Sequence, residues 1–309
     1  MAMNLFVFVF ALCMVMRGAT LATRYAARFA ETLHLSKYTV GFLVIAVISI
    51  LPELFISLNA AMNDVPAFGL GMLLGSNVAD LTLIFALIVV FAGRSLKVES
   101  RVMENHVLYP FILLLPIVLG LDGHFTRIEG LALVVAGCIF YYLALRKESG
   151  HEIAVVQNGS RRKNLLLLLI SLAILLAGGH FVVISASAIA ETIGVSPVLI
   201  GMLVVGLGTT IPELMFSLKS VRQHDDSLAI GDILGTVLAD ATIVVGLLAL
   251  LNPFSFPKTT IYIAGVFMVA AAFILFSFLR SGHILTKKEA FSLFVFWVTF
   301  VLVQFIVGA

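Results

Sequence analysis

Apolar residues in this chain come in long blocks. They show neither the alternation of a half-buried strand nor the narrow stripe of a surface helix. A membrane-spanning helix needs about 20 mostly apolar residues. Ten blocks approach or meet that length: 3–23, 38–61, 67–92, 106–120, 128–145, 164–187, 197–220, 227–250, 259–280 and 289–308. The fourth is short and contains Pro110 and Pro116. The most polar stretch, Arg146 to Asn164, lies between the fifth and sixth blocks and carries Gly150, Gly159 and Ser160, which marks a linker. The expected fold is an all-α membrane protein with ten transmembrane helices in two inverted five-helix repeats. Residues 1–145 form the first repeat, 146–163 a cytoplasmic linker, and 164–309 the second repeat.

Composition agrees with this pattern. Hydrophobic residues make up 61% of the chain and charged residues 12%, against about 45–50% and about 25% in soluble domains. Mean hydropathy is +1.14. A net charge of +2 gives no reason to expect a nucleic-acid partner; the partner expected is membrane lipid, with the chain working as a monomer. Cys13 and Cys138 both lie in apolar runs and read as packing residues, neither a disulfide nor a metal pair. The first block lacks a basic leader and a small-residue cleavage site, so it reads as a retained helix.

Charge placement sets the orientation. With ten crossings, seventeen of the nineteen Lys and Arg residues fall on one face, and only Arg127 and Lys258 on the other. The basic face is expected to be cytoplasmic, with both termini outside. The localisation expected is a prokaryotic cell membrane. Five helices per unit is an odd number, so the second unit enters the membrane in the opposite sense. This is the inverted repeat of many transporters, with a site near the midplane.

The repeat is visible in the residues. Gly41 to Asp80 returns as Gly201 to Asp240 at a constant offset of 160. Each copy places a carboxylate, Glu53 or Glu213, directly after a proline, and a second, Asp80 or Asp240, in the next apolar run. Beyond the second and third helices of each unit, the copies share little but hydropathy. Charge at such depth is expensive and marks function. Pro52 and Pro212 lack an amide hydrogen and clash with the carbonyl four residues back, which frees the carbonyls of Ile48 and Gly208 and loosens those of Ala46, Val47, Gly206 and Leu207. One such kink would be ordinary in a membrane helix; two at identical spacing point to a site. A loosened turn beside a carboxylate and a hydroxyl (Ser49, or Thr209 with Thr210) supplies hard oxygen ligands, which suit calcium, sodium or magnesium.

The partner elements are GSNVAD, Gly75 to Asp80, and GTVLAD, Gly235 to Asp240. Ser76 with Asp80, and Thr236 with Asp240, are four apart and share a helix face. At about 1.5 Å per residue, Glu53 and Ser76 lie at one depth, and Ser49 and Asp80 at another about 6 Å away. Gly69, Gly71, Gly75, Gly231 and Gly235 permit close helix approach. The plainer alternative is small-residue packing around a capped acid.

LPEL with GSNVAD, and GTTIPEL with GTVLAD, resemble the two α-repeats of the calcium/cation antiporter superfamily, in its sodium/calcium exchanger branch. The resemblance implies a secondary active antiporter that is not an enzyme and carries no resident cofactor. It would export calcium in exchange for sodium by alternating access, with the inorganic cations Ca2+ and Na+ (or H+) as transported ions. It implies Glu53 and Glu213 as the principal calcium ligands. Sodium would be held by Ser49, Ser76, Thr209 and Thr236 with the carbonyls of Ala46 and Gly206, while Asp80 and Asp240 fill the remaining polar positions. Asn77, Thr210 and Asp232 are further candidates.

The chain departs from the family pattern. The usual GTSLPE reads ISILPE from Ile48 to Glu53, and Asp80 stands where sodium-coupled members carry Asn. Asn77 has no amide counterpart, since Val237 replaces it in the second copy, and the Asn of GNxxGS is Met72 in one copy and Asp232 in the other. Clustered carboxylates cannot all stay ionised in a poorly hydrated site, so protons are expected to compete with calcium at Asp80 and Asp240. The alternative functions are a proton/calcium or other divalent-cation exchanger, a passive channel, and an intramembrane aspartyl protease. The last rests on a near match at Ala229-Ile230-Gly231-Asp232. Elsewhere, His180 reads as a satisfied polar contact, Asp122 and Glu129 as solvated, and Asp232 as either an interfacial helix end or the mouth of an ion path.

Overall fold

The structure is a computed structural model that describes residues 1–31, 49–97, 108–146, 161–280 and 282–308. Ala46, Val47 and Ile48, named above for their carbonyls, lie outside the described residues, as does most of the linker. The described chain forms ten helices: α1 (Ala2–Glu31), α2 (Leu51–Met62), α3 (Pro66–Ala92), α4 (Leu108–Leu119), α5 (Arg127–Arg146), α6 (Arg161–Ile193), α7 (Pro197–Arg222), α8 (Asp226–Leu251), α9 (Lys258–Arg280) and α10 (Lys287–Gly308). Seven of these are long and apolar enough to cross a membrane: α1, α3 and α6 to α10. Helices α1 and α6 overrun the expected spans by about a turn or more at their ends.

Contacts between loops sort the connections onto two faces. Four two-residue strands, β1 (Leu96–Lys97), β2 (His124–Phe125), β3 (Phe254–Ser255) and β4 (Ile284–Leu285), form two antiparallel ribbons, β1 with β4 and β2 with β3. The first ribbon joins the end of α3 to the start of α10. The second joins the end of α8 to the start of α5. These are the pairings that an odd number of crossings per half requires, and the 160-residue offset carries β2 onto β4 and β1 to within two residues of β3.

The halves interlock. Helix α10 of the second half packs on α3 of the first, and α5 of the first packs on α8 of the second. In a lipid solvent, packing of this kind rests on small residues that let backbones touch. Between α5 and α8, Gly130 and Gly246 lie so close that a side-chain carbon on either would meet the other's carbonyl oxygen. Between α3 and α7, a side-chain carbon on Gly75 would overlap the Met202 carbonyl, and one on Gly206 would press on Met72 and Ser76. Helices α3 and α7, from opposite halves, therefore cross backbone to backbone.

Both Cys13 and Cys138 are exposed free thiols. They face outward from the bundle and are not core packing residues; an apolar run does not reveal which face a residue takes when lipid and core are equally apolar. Glu129 is not simply solvated: its carboxylate accepts from the Thr126 amide at 2.7 Å and the Thr126 hydroxyl at 2.8 Å. Glu289 does the same for Thr286 at 2.8 and 2.7 Å. These are capping boxes that start α5 and α10, again 160 residues apart, so the repeat extends beyond the second and third helices of each unit.

Candidate functional site

The chain breaks just before each glutamate. Helix α2 starts after Ile50, with Pro52 and Glu53 in its first turn. In α7 a helix restarts after Thr210, with Pro212 and Glu213 in the first turn. Each glutamate thus sits at a half-helix N-terminus, where free amides and the helix dipole favour negative charge. The carbonyls loosened in α7 are partly reoccupied. Gly206 accepts from the Thr209 hydroxyl at 3.0 Å and Leu207 from the Thr210 hydroxyl at 3.0 Å.

The two aspartates mark a second irregularity. A single π-helical turn begins at each, Asp80–Ile84 and Asp240–Val244, and a third spans Gly201–Val205 in α7. Such turns shift the register of one helix face and recur at functional sites. They leave no trace in hydropathy.

All four acids are buried: Glu53 is 1% exposed, Glu213 3%, Asp80 1% and Asp240 0%. Neither oxygen of any of the four has a hydrogen-bond partner. They come together across the halves. Glu213 stands beside Asp80 and within electrostatic reach of Glu53, Asp240 within reach of Glu53 and Asp80, and Thr209 beside Glu53. An unpaired buried carboxylate costs several kcal/mol, so this arrangement calls for cations. Among the described residues no three acid, His or Cys side chains are grouped closely enough to hold a metal by themselves. Carboxylates would need completion by hydroxyl and carbonyl oxygens, as hard cations prefer.

The expected hydroxyls divide. Thr236 Oγ1 is buried and without a partner, whereas Ser76 donates to the Leu73 carbonyl at 3.0 Å. Ser49 donates to Asp232 Oδ1 at 2.7 Å. Asn77 donates to the Val237 carbonyl at 3.3 Å, leaving its own oxygen unpartnered. Asp232 lies inside α8, not at an interfacial end, and is 8% exposed. His180 faces Asn63, with 3.4 Å between Nδ1 and the amide nitrogen.

Two groups escaped the sequence reading. Ser57 and Ser217, four residues past Glu53 and Glu213, are fully buried with unpartnered hydroxyls; their i+4 spacing could have flagged them. Tyr109 of α4 donates to the Leu234 carbonyl at 2.7 Å, and Tyr141 of α5 to that of Gly235 at 2.6 Å. Both phenols lie within electrostatic reach of Asp240. No local pattern announces them, because their partners are about 100 residues away.

At the basic face, Arg94 grips Asp226 with both nitrogens, at 2.7 and 2.6 Å, and donates to the Val221 carbonyl at 2.8 Å. This hydrogen-bonded pairing raises the Arg94 pKa above its ordinary value. At the opposite face, Asn252 donates to the Ala61 carbonyl at 3.0 Å and to Asp64 at 3.3 Å. Ala61 and Val221 are repeat equivalents, so each half fastens its helix hairpin to the other at the same place with different chemistry.

The chain is similar over 98% of its length to the sodium/calcium exchanger MaX1 of Methanosarcina acetivorans, at 21% identity and covering 98% of that protein. It is 25% identical to the inner membrane protein YrbG of Escherichia coli over 74% of each chain. Among solved structures, the crystal structure of the H+/Ca2+ exchanger CAX superposes with a TM-score of 0.79 at 17% identity, covering 99% of this chain and 84% of that one. The sodium-calcium exchanger NCX_Mj superposes at 0.67 and 22% identity, covering 96% and 97%. The family described as sodium/calcium exchanger protein matches residues 3–146 and 163–306. The match covers nearly all of both interlocked halves, including the two stretches that repeat at a 160-residue offset, and the chain belongs to the sodium/calcium exchanger family of membrane transporters.

Proposed function

We propose that the chain is an antiporter that exports calcium in exchange for sodium, with the basic face cytoplasmic and residues 1–145 and 164–309 as its two repeats. The observation that carries this reading is the burial of Glu53, Asp80, Glu213 and Asp240 with partnerless oxygens, acids of one half within electrostatic reach of those of the other. Glu53 and Glu213 hold calcium. Thr209, Thr236, Ser76, Ser49 and the carbonyls of Ala46 and Gly206 complete the shell or hold sodium, with Asn77 and Thr210 at its edge. Four acids without cations in a low-dielectric interior repel one another strongly, so the empty site does not cross between its two open states. Only a site loaded with calcium or its counter-ions crosses, which enforces exchange.

The supporting comparisons include relatives named for sodium and for proton exchange. A second reading, proton-coupled exchange, is favoured by the excess of acid over one calcium ion and by Asp80 itself. The test is efflux of radioactive calcium from proteoliposomes facing sodium alone, then a proton gradient alone. Sodium-driven efflux supports the first reading, proton-driven efflux supports the second, and efflux with neither refutes antiport.

A further inference from the structure

The site is not symmetric, and the asymmetry lies in one acid. Along α8, Asp232, Thr236 and Asp240 are four residues apart and share one face, a ladder of oxygens about 12 Å long. The equivalent ladder on α3 reads Met72, Ser76 and Asp80. Helices α3 and α7 descend from the opposite face to the basic face, while α2 and α8 run the other way. The ladders therefore stack in three layers. Glu53, Ser76, Glu213 and Thr236 share the middle. Asp240, Thr209, Ser57 and Met72 lie toward the opposite face. Asp232, Asp80, Ser49 and Ser217 lie toward the basic face. One layer holds a thioether and one acid where the other holds two acids.

The contacts support the layering. Ser49 donates to Asp232 at 2.7 Å although 183 residues separate them. Asp80 lies within electrostatic reach of Asp232. Asp232 Oδ2, both Asp80 oxygens and the Ser217 hydroxyl are buried without partners. A serine that donates its one proton to Asp232 keeps its lone pairs to accept with, so Ser49 joins the two carboxylates as an oxygen acceptor. Two carboxylates and hydroxyl oxygens suit a divalent ion with hard ligands.

We propose that Asp232, with Ser49 and Asp80, forms a second calcium-binding position on the basic-face side of the central site, where the ion rests while losing its water. The proposal deepens the antiport reading and rests on it. It assigns Asp232 a role that Met72 cannot play at the other end. An ion arriving from the basic face finds a two-acid step before Glu53 and Glu213; one arriving from the opposite face does not.

The test has two arms. Equilibrium dialysis of the purified chain against radioactive calcium counts ions bound, independently of transport. Wild type is expected to bind a second, weaker ion that Asp232→Asn and Asp232→Met lose and Asp232→Glu retains. Exchange is then measured in proteoliposomes of known orientation. With calcium offered at the basic face, Asp232→Asn raises the half-saturating concentration about tenfold, equivalent to about 1.4 kcal/mol of lost binding. With calcium offered at the opposite face the value is unchanged. Adding Met72→Asp to Asp232→Met moves the sensitivity to the opposite face. An unchanged ion count in Asp232→Asn, or an equal shift from both faces, overturns the proposal. Wild type that binds calcium but exchanges it for neither sodium nor protons refutes the antiport reading instead, while the ion count still decides this one.

Discussion

Helices α3 and α8 occupy equivalent places in the two halves, yet they are held differently. α3 lies backbone to backbone against α7, with Gly75 under the Met202 carbonyl. α8 is held by two phenols, Tyr109 and Tyr141, on the consecutive carbonyls of Leu234 and Gly235. The residues 160 beyond those tyrosines are Val269 and Val301, so no counterpart grips α3. One half secures its acid by contact that leaves no room for a side chain. The other does so by hydrogen bonds that a small shift can lengthen. The repeat supplied the same acids twice, and the two halves hold them by different means. The same lesson holds at the loops, where a bidentate ion pair at Arg94 answers a neutral amide at Asn252.

The comparison breaks first at the shared middle layer. Glu53→Gln and Glu213→Gln should each reduce calcium flux at least about a hundredfold, since each removes a buried charge worth about 3 kcal/mol to its cation. Flux by reconstituted protein measures it, and retained flux in both variants removes the site. Gly75→Ala should destabilise the protein by about 3 kcal/mol, because the obstacle is a backbone carbonyl that cannot rotate away. Its thermal midpoint and yield of monodisperse protein should fall together. Arg94→Ala should lower stability by about 2 kcal/mol, charged hydrogen bonds counting for more than neutral ones and partial exposure of Arg94 reducing the loss. Asn252→Ala should cost only about 1 kcal/mol, so equal losses would show the two fastenings to be alike after all.

Subtler effects sharpen the contrast. Tyr109→Phe keeps the ring against Phe276, whose centroid is 5.1 Å away, and removes one hydrogen bond worth about 1 kcal/mol. The expected result is a lowered thermal midpoint and weaker calcium binding with turnover preserved. Turnover that falls while binding holds would place the phenol in the conformational change instead. Thr126→Ala and Thr286→Ala should each cost about 1 kcal/mol through loss of an N-cap, and the two values should match. They are the control: one device kept intact in both halves.

Much of this was legible in the residues. Hydropathy is a local property, and blocks of it give ten crossings, the parity of each loop and the sense of the second half. The ribbons β1–β4 and β2–β3 respect that parity. The repeat gave Glu53, Asp80, Glu213 and Asp240, and the structure buries all four and sets acids of one half within electrostatic reach of the other. Asp232 was legible only as an interfacial helix end or the mouth of an ion path. Its bond to Ser49 spans the two halves, and no local pattern encodes such a bond.

What the chain alone determined is therefore the set of acids, their depths and the antiparallel sense of the halves, because proline breaks, helical rise and loop charge all act within a few residues. What the tertiary structure alone decided is which oxygens remain free. Ser76 and Ser49 are engaged elsewhere while Ser57, Ser217 and Thr236 are not, and the grip on α8 comes from helices outside the repeat motif. Whether an oxygen is free depends on which donors lie within about 3 Å in space, and those donors arrive from parts of the chain that folding alone brings near.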